Sequence, residues 1–250
     1  MQQSNTYIII FSVVMTIIIG GLMSITSVVL KPAQDRQVEL DTKKKILGAV
    51  MDISAIEDPE EILRIYAEKV KSTVVDFGGN PIETDTKGNP LVAEKVNVQK
   101  NYKTDPKSRV YPVYMVMDGD KIEAYVLPLF GAGLWDWISG YIALDGDLNT
   151  VKGIAFDHKS ETPGLGARIT DAEVQGRFKG KKIFTDGGEL ASITMVKGEG
   201  KSGLTQHEVD GLSGATLTAK GVNRMLEHYL GCYQNFFKKV KSENKLAANY

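Results

Sequence analysis

From Tyr7 to Leu30 the chain runs 24 residues without a single charge, and all 30 basic and 31 acidic side chains fall after position 30. As a helix such a run is about 36 Å long at 1.5 Å per residue. A bilayer core is about 30 Å thick, so the segment is long enough to cross it with some tilt, and we read it as an N-terminal membrane anchor. A cleaved export signal fits less well: the first six residues carry no Lys or Arg, the apolar run is long, and no Ala-x-Ala site follows. Ser12, Thr16, Gly20 and Ser24 recur every fourth residue, which on a helix makes a stripe where another helix could approach closely. Since Gly, Ser and Thr are common in membrane helices, chance explains the stripe equally well. With no ionisable group in the span, this chain alone cannot supply an intramembrane ion ligand or proton relay.

After position 30 the composition is that of a globular protein. A net charge of -1 argues against a nucleic-acid-binding surface. The single cysteine, Cys232, excludes an internal disulfide framework, and His158, His207 and His228 are too far apart in sequence for a local metal motif. No metal site and no catalytic acid, base or nucleophile is expected.

Hydropathy patterning predicts a helical stem from Lys31 to about Val50 and a second amphipathic helix over Pro59–Val74. Gly78-Gly79-Asn80-Pro81, Gly88-Asn89-Pro90 and Asp105-Pro106 mark turns. Two hairpins follow: Tyr111–Met117 with Ile122–Leu127 around Asp118-Gly119-Asp120, and Tyr141–Leu144 with Thr150–Phe156 around Asp145-Gly146-Asp147. A short strand is expected at Ile193–Val196 and a long closing helix from about Leu217 to Val240, with Val222, Met225, Leu226, Tyr229, Tyr233 and Phe236 on its buried face. The expected organisation is an anchor at 1–30, a helical stem and connector at 31–75, and one α+β domain at 76–250 with antiparallel strands and a C-terminal helix.

Gly198-Glu199-Gly200-Lys201-Ser202-Gly203 imitates a dinucleotide loop but lacks a surrounding parallel βαβ unit, and Met195 stands where a P-loop needs glycine, so we read it as a polar turn. Three other segments carry more chemistry. Asp210-Gly211-Leu212-Ser213-Gly214-Ala215-Thr216-Leu217-Thr218 opens the last helix, where free N–H groups and the positive end of the dipole suit a phosphate. Ser213 or Thr216 could equally be an ordinary helix cap. Ser160-Glu161-Thr162-Pro163-Gly164-Leu165-Gly166-Ala167-Arg168 is a tight loop after a strand. Gly133-Leu134-Trp135-Asp136-Trp137 sets two large aromatics beside a glycine, suited either to cover a planar ring or to anchor a core.

Together, behind one N-terminal span, these segments resemble the C-subunit family of sodium-translocating NADH:quinone oxidoreductases, whose domain binds FMN; the related RnfG-type subunits share the span and the Ser-Gly-Ala-Thr element but are usually shorter. The resemblance covers nearly the whole chain. It implies an electron carrier inside a membrane redox complex, with FMN linked through its phosphate to Thr216 by a flavin transferase, and with the other subunits as partners. Ser213, Gly214, Ala215, Leu217 and Thr218 would surround the attachment point, Asp210 would serve the transfer reaction, Thr162, Leu165 and Trp135 would lie against the flavin ring, Gly164 and Gly166 would let main chain approach it, and Glu161 would hold the loop or tune the ring's potential. A membrane-anchored scaffold whose acceptor-like segment is only a capped helix is the non-flavin alternative. Orientation divides the signals. Lys31, Arg36, Lys43, Lys44 and Lys45 just after the span favour a cytoplasmic domain by the positive-inside rule; the resemblance implies the external, periplasmic face of the bacterial inner membrane.

Overall fold

A computed structural model describes residues 4–85 and 87–247; the extreme ends of the expected 1–30 and 76–250 ranges, and position 86, lie outside the described residues. The chain divides into two compact units, Met1–Thr42 and Lys43–Tyr250. Helix α1 (Asn5–Gly48) starts in the first and continues through Pro32. Its charge-free part is exposed throughout, as expected for side chains that meet lipid rather than protein, and it is the one described helix long and apolar enough to span a membrane. The Thr16 hydroxyl donates to the Ser12 carbonyl at 2.8 Å, which satisfies it within the helix.

In the second unit, the last turn of α1 buries Ile46 and Leu47, and Lys45 pairs with Asp157 at 2.6 Å. Helix α2 (Pro59–Lys69) begins where sequence rules place it: Asp58 caps it by accepting the Glu60 N–H, proline sits in the first turn, and Glu60 and Glu61 face the positive dipole end. It ends five residues before the Val74 expected from the sequence. Val70–Val75 is instead strand β1, whose β-branched residues favour extended backbone and whose Val70 to Val75 register against Val116 to Tyr111. The segment read as a connector thus supplies one edge strand of the sheet.

The sheet is a five-stranded antiparallel meander in sequence order. It comprises β1, β2 (Tyr111–Asp118), β3 (Lys121–Ala132), β4 (Trp137–Asp145) and β5 (Val151–His158). Both expected hairpins form, with β3 and β4 longer than the alternation suggested. The ladder between β2 and β3 begins only at Tyr114 and Val126. Continuing that register would set Pro112 against Pro128, and neither has an N–H to donate. The Pro112 carbonyl is satisfied by the Tyr233 hydroxyl at 2.7 Å.

Two short helices, α3 (Val98–Tyr102) and α4 (Ala172–Gly176), flank the sheet. Helix α5 (Thr216–Cys232) packs on β3, and α6 (Gln234–Ala247) follows. One closing helix was expected; the break at Tyr233 follows Gly231, a weak helix former, and Tyr233 is fully buried at the junction. The α5 stripe of Val222, Met225, Leu226 and Tyr229 lies in the core as its periodicity indicated. Close approach depends on two glycines: a Cβ on Gly221 would stand 2.6 Å from the Ala132 carbonyl, and one on Gly131 would stand 2.9 Å from Met225 Cβ. That contact sets the start of α5 beside the turn between β3 and β4. The expected strand at Ile193–Val196 is β6 (Thr194–Met195), which pairs in parallel with β7 (Glu208–Val209), an element too short for a periodic signal. Asn223 of α5 bonds both the N–H and the carbonyl of Met195, tying this pair to the helix.

Candidate functional site

The three segments picked out in the sequence meet at one buried carboxylate. Glu161, 4% exposed, follows β5; its Oε1 accepts the N–H groups of Leu134 at 2.7 Å and Trp135 at 3.1 Å, and its Oε2 accepts the Thr218 hydroxyl at 2.6 Å. Two glycines make room for it. A side chain on Gly133 would strike Glu161 Oε1, and a Cβ on Gly166 would sit 2.5 Å from both Glu161 Oε2 and Thr218 Oγ1. The loop closes on itself when the Thr162 carbonyl accepts the N–H groups of Leu165 and Ala167, each at 3.1 Å, with Gly164 in the left-handed region at φ +73°. The Trp135 indole N–H donates to the Thr162 hydroxyl at 3.2 Å, joining the turn after β3 to the loop after β5.

Thr216 is the first residue of α5 and is half-buried. Neither it nor Ser213 caps the helix: the capping position is Ala215, which offers no side-chain acceptor. The start of this 17-residue helix therefore keeps unsatisfied N–H groups and an uncompensated dipole end. Ser213 and Gly214 are exposed, Gly214 has φ +74°, and a Cβ on it would stand 2.8 Å from Leu165 Cδ2. The loop after β5 and the segment before α5 are thus in direct contact.

Around Thr216 lies the largest concentration of exposed apolar surface in the second unit. Beyond Val38, the exposed large hydrophobic residues among those described are Val92 and four at this site: Leu134 (44%), Trp135 (68%), Leu165 (41%) and Leu217 (54%). Of the two tryptophans Trp135 is the exposed one; Trp137 is half-buried and packs on Phe130 with ring centroids 5.9 Å apart. A flat apolar surface beside an uncapped helix start, with a hydroxyl between them, matches a ligand that has a planar apolar body and an anionic group. A flavin phosphate has both.

Residues 133–231 match the FMN-binding domain family, a span from the Glu161-held turn to the end of α5. Over most of its length the chain is similar to the C subunit of the Na(+)-translocating NADH-quinone reductase of Pasteurella multocida (32% identity over 234 residues, 90% of this chain and 87% of that one). The corresponding C subunit from Neisseria meningitidis is 32% identical over 255 residues, covering 96% and 95%. The chain belongs to the C-subunit family of Na(+)-translocating NADH-quinone reductases. Crystal structures of two of these C subunits share the fold. That from Parabacteroides distasonis has a TM-score of 0.71 at 35% identity, covering 83% of this chain and 96% of that one; the one from Shewanella oneidensis has a TM-score of 0.69 at 29%, covering 84% and 99%.

Within this family fold the expected site residues separate by role. Thr216, Leu217, Ser213, Gly214, Thr162, Gly164, Leu165 and Trp135 line the open face, whereas Glu161, Gly166, Ala215 and Thr218 are buried beneath it. The Thr218 hydroxyl faces Glu161. Asp210, expected to serve the transfer reaction, has its carboxylate on the N–H groups of Gly200 at 2.6 Å and Lys201 at 3.1 Å, so it braces the glycine turn. That turn reaches the site through Glu199, which binds Arg168 and Arg177. The guanidinium of Arg168, and then that of Arg177, hold the Glu199 carboxyl down at about 2. Nothing in the spacing of Arg168, Arg177 and Glu199 signals this cluster; the glycine pattern marks only a loop.

Proposed function

We propose that this chain is the flavin-carrying relay of a sodium-translocating NADH:quinone oxidoreductase, with FMN joined through its phosphate to Thr216. The observation that carries the reading is a threonine hydroxyl at the start of a helix with no side-chain cap, beside the apolar patch of Trp135, Leu165 and Leu217. When bound, flavin supplies one- and two-electron chemistry; the protein supplies position and electrostatics. The residues fit the group. The α5 amides and dipole end stabilise the one negative charge that a phosphodiester keeps, Gly214 lets backbone come close, and Trp135, Leu165 and Thr162 offer a face to the ring. Glu161 holds those pieces at fixed spacing without needing to touch the ligand.

Attachment requires the Thr216 hydroxyl to displace a leaving group from phosphorus. A flavin monophosphate has no good one, so the donor is a flavin whose phosphate is already in a pyrophosphate. The Thr216 Oγ–P bond forms as the anhydride P–O bond breaks, the nucleotide monophosphate departs with the electron pair, and the hydroxyl proton passes to a base on the flavin transferase. With no ionisable side chain in the α1 span, ion translocation falls to the other membrane subunits, with which the Ser12, Thr16, Gly20 and Ser24 stripe is suited to pack. We place the domain on the periplasmic face of the inner membrane, against the Lys and Arg bias after the span, because the family resemblance, carried by several motifs, is a more specific signal than a statistical charge bias.

The test is Thr216→Ala, coexpressed with the transferase. The hydroxyl caps nothing, so the variant folds, and it carries no flavin through denaturing electrophoresis or mass spectrometry. An adduct retained by the variant, or mapped to another peptide, rejects the assignment.

A further inference from the structure

A second carboxylate, Glu199, grips the acceptor segment. It lies in the glycine turn between β6 and β7. Its Oε1 accepts from Arg168 and Arg177 at 2.8 Å each, and its Oε2 accepts from Arg168 at 3.1 Å and from the Ser213 N–H at 3.4 Å. Arg177, with 13% of its side chain exposed, also donates to the carbonyls of Asp210 at 3.2 Å and Gly211 at 2.6 Å. Asp210 in turn accepts the amides of Gly200 and Lys201. Each of two neighbouring loops therefore places its carboxylate on the other's backbone N–H groups, and Arg177 holds the acceptor carbonyls as well.

The sequence makes such a grip necessary. Gly198, Gly200, Gly203 and Gly214 all have φ between +72° and +87°, and Gly211 lies so close to the Val196 carbonyl that a side chain there would overlap it. Glycine-rich backbone is conformationally permissive, so without external partners this stretch samples many arrangements, few of which present Thr216. Glu199 reaches both halves of the site: Arg168 belongs to the turn that continues the loop after β5, and Ser213 lies three residues before Thr216.

On the reading of Thr216 as acceptor, we propose that Glu199 and Arg177 are positioning residues for flavin attachment. They hold Asp210–Ser213 in the conformation that presents the Thr216 hydroxyl to the transferase, so that its oxygen meets phosphorus as the donor's anhydride bond breaks. A displacement of about 1 Å in such a geometry can slow a reaction on the order of 100-fold. Glu199 keeps 28% of its side chain exposed, so its ion pairs contribute modestly to global stability, whereas Arg177, at 13% and bonded to two carbonyls, contributes more. The two effects therefore separate at Glu199: attachment slows while unfolding barely changes.

The experiment uses the full chain in detergent, made in a host without flavin transferase, then mixed with purified transferase and a flavin dinucleotide. Attachment is followed by intact mass at saturating chain concentration, and unfolding by a thermal melt. Glu199→Gln should lower the maximal attachment rate at least tenfold while the midpoint moves by no more than about 3 °C; Arg177→Gln should lower the rate at least as much with a larger shift in midpoint, and Glu199→Asp should recover part of the rate. Lys152→Met, which breaks a pair with Glu123 and Asp145 on the sheet, should attach flavin as the wild type does. Wild-type rates in both Gln variants, or losses that only track the unfolded fraction, overturn the positioning role. Flavin on Thr216→Ala would instead overturn the acceptor reading, so the two failures are distinguishable.

Discussion

Thr218→Val keeps a β-branched side chain of nearly the same shape and deletes one hydroxyl. That hydroxyl belongs to a residue 1% exposed and donates at 2.6 Å to Glu161 Oε2, itself on a residue 4% exposed. Valine leaves a buried carboxylate oxygen without its donor, and water has no ready access to replace it. A hydrogen bond to a charged group contributes about 1.5–3 kcal/mol, so we expect a loss of about 2 kcal/mol. In a domain of this size that corresponds to roughly 4–8 °C in Tm. Oε1 still accepts from Leu134 and Trp135, so the site loosens rather than collapses. Urea unfolding of the full chain in detergent measures the loss, with tryptophan fluorescence as the signal because Trp135 sits on the turn that Glu161 holds. A double-mutant cycle with Glu161→Gln should give a coupling of at least about 1 kcal/mol. Stability within about 0.5 kcal/mol of wild type, or no coupling, would refute the claim that this pair holds the site together.

Gly166→Ala puts a methyl 2.5 Å from both Glu161 Oε2 and Thr218 Oγ1; overpacking of this kind costs about 1–3 kcal/mol, and urea unfolding together with intact mass should show a weaker fold and reduced flavin attachment. Because Arg168 and Arg177 lower the Glu199 carboxyl from 4.5 to about 2, its ionic contribution is complete above pH 4.5 and is lost as pH falls toward 2. An NMR titration of that carboxyl with a midpoint at or above 4.5 would contradict the clamp. Orientation is checked with Lys103→Cys in a Cys232→Ser background: in spheroplasts a membrane-impermeant maleimide should label it, and labelling only after lysis would place the domain in the cytoplasm.

Much of this was legible in the sequence because it rests on local pattern. A 24-residue charge-free run has few outcomes other than a spanning helix, alternation with Asp-Gly-Asp turns announces hairpins, and a three-to-four-residue stripe announces the buried face of α5. The segments around Trp135, Glu161 and Thr216 also stood out, through their glycines and small polar residues. Local pattern failed where neighbours outside the window decide. Val70–Val75 became a strand because β2 offered it a register, and the closing helix broke at a tyrosine whose hydroxyl is held by Pro112.

What each site residue does was decided by tertiary structure alone. The segments at 133–137, 161–168 and 210–218 are far apart in sequence. They meet because the antiparallel register sets the β3–β4 turn beside the end of β5, and because Gly131 and Gly221 let α5 sit close on β3. Only then does Glu161 become the acceptor for the other two segments, Thr218 turn inward, Trp135 remain exposed while Trp137 packs on Phe130, and the glycine turn at Glu199 reach Ser213. A hydrogen bond depends on ångström-scale distances between groups that composition and periodicity do not relate, so the sequence names the pieces and packing assigns their roles.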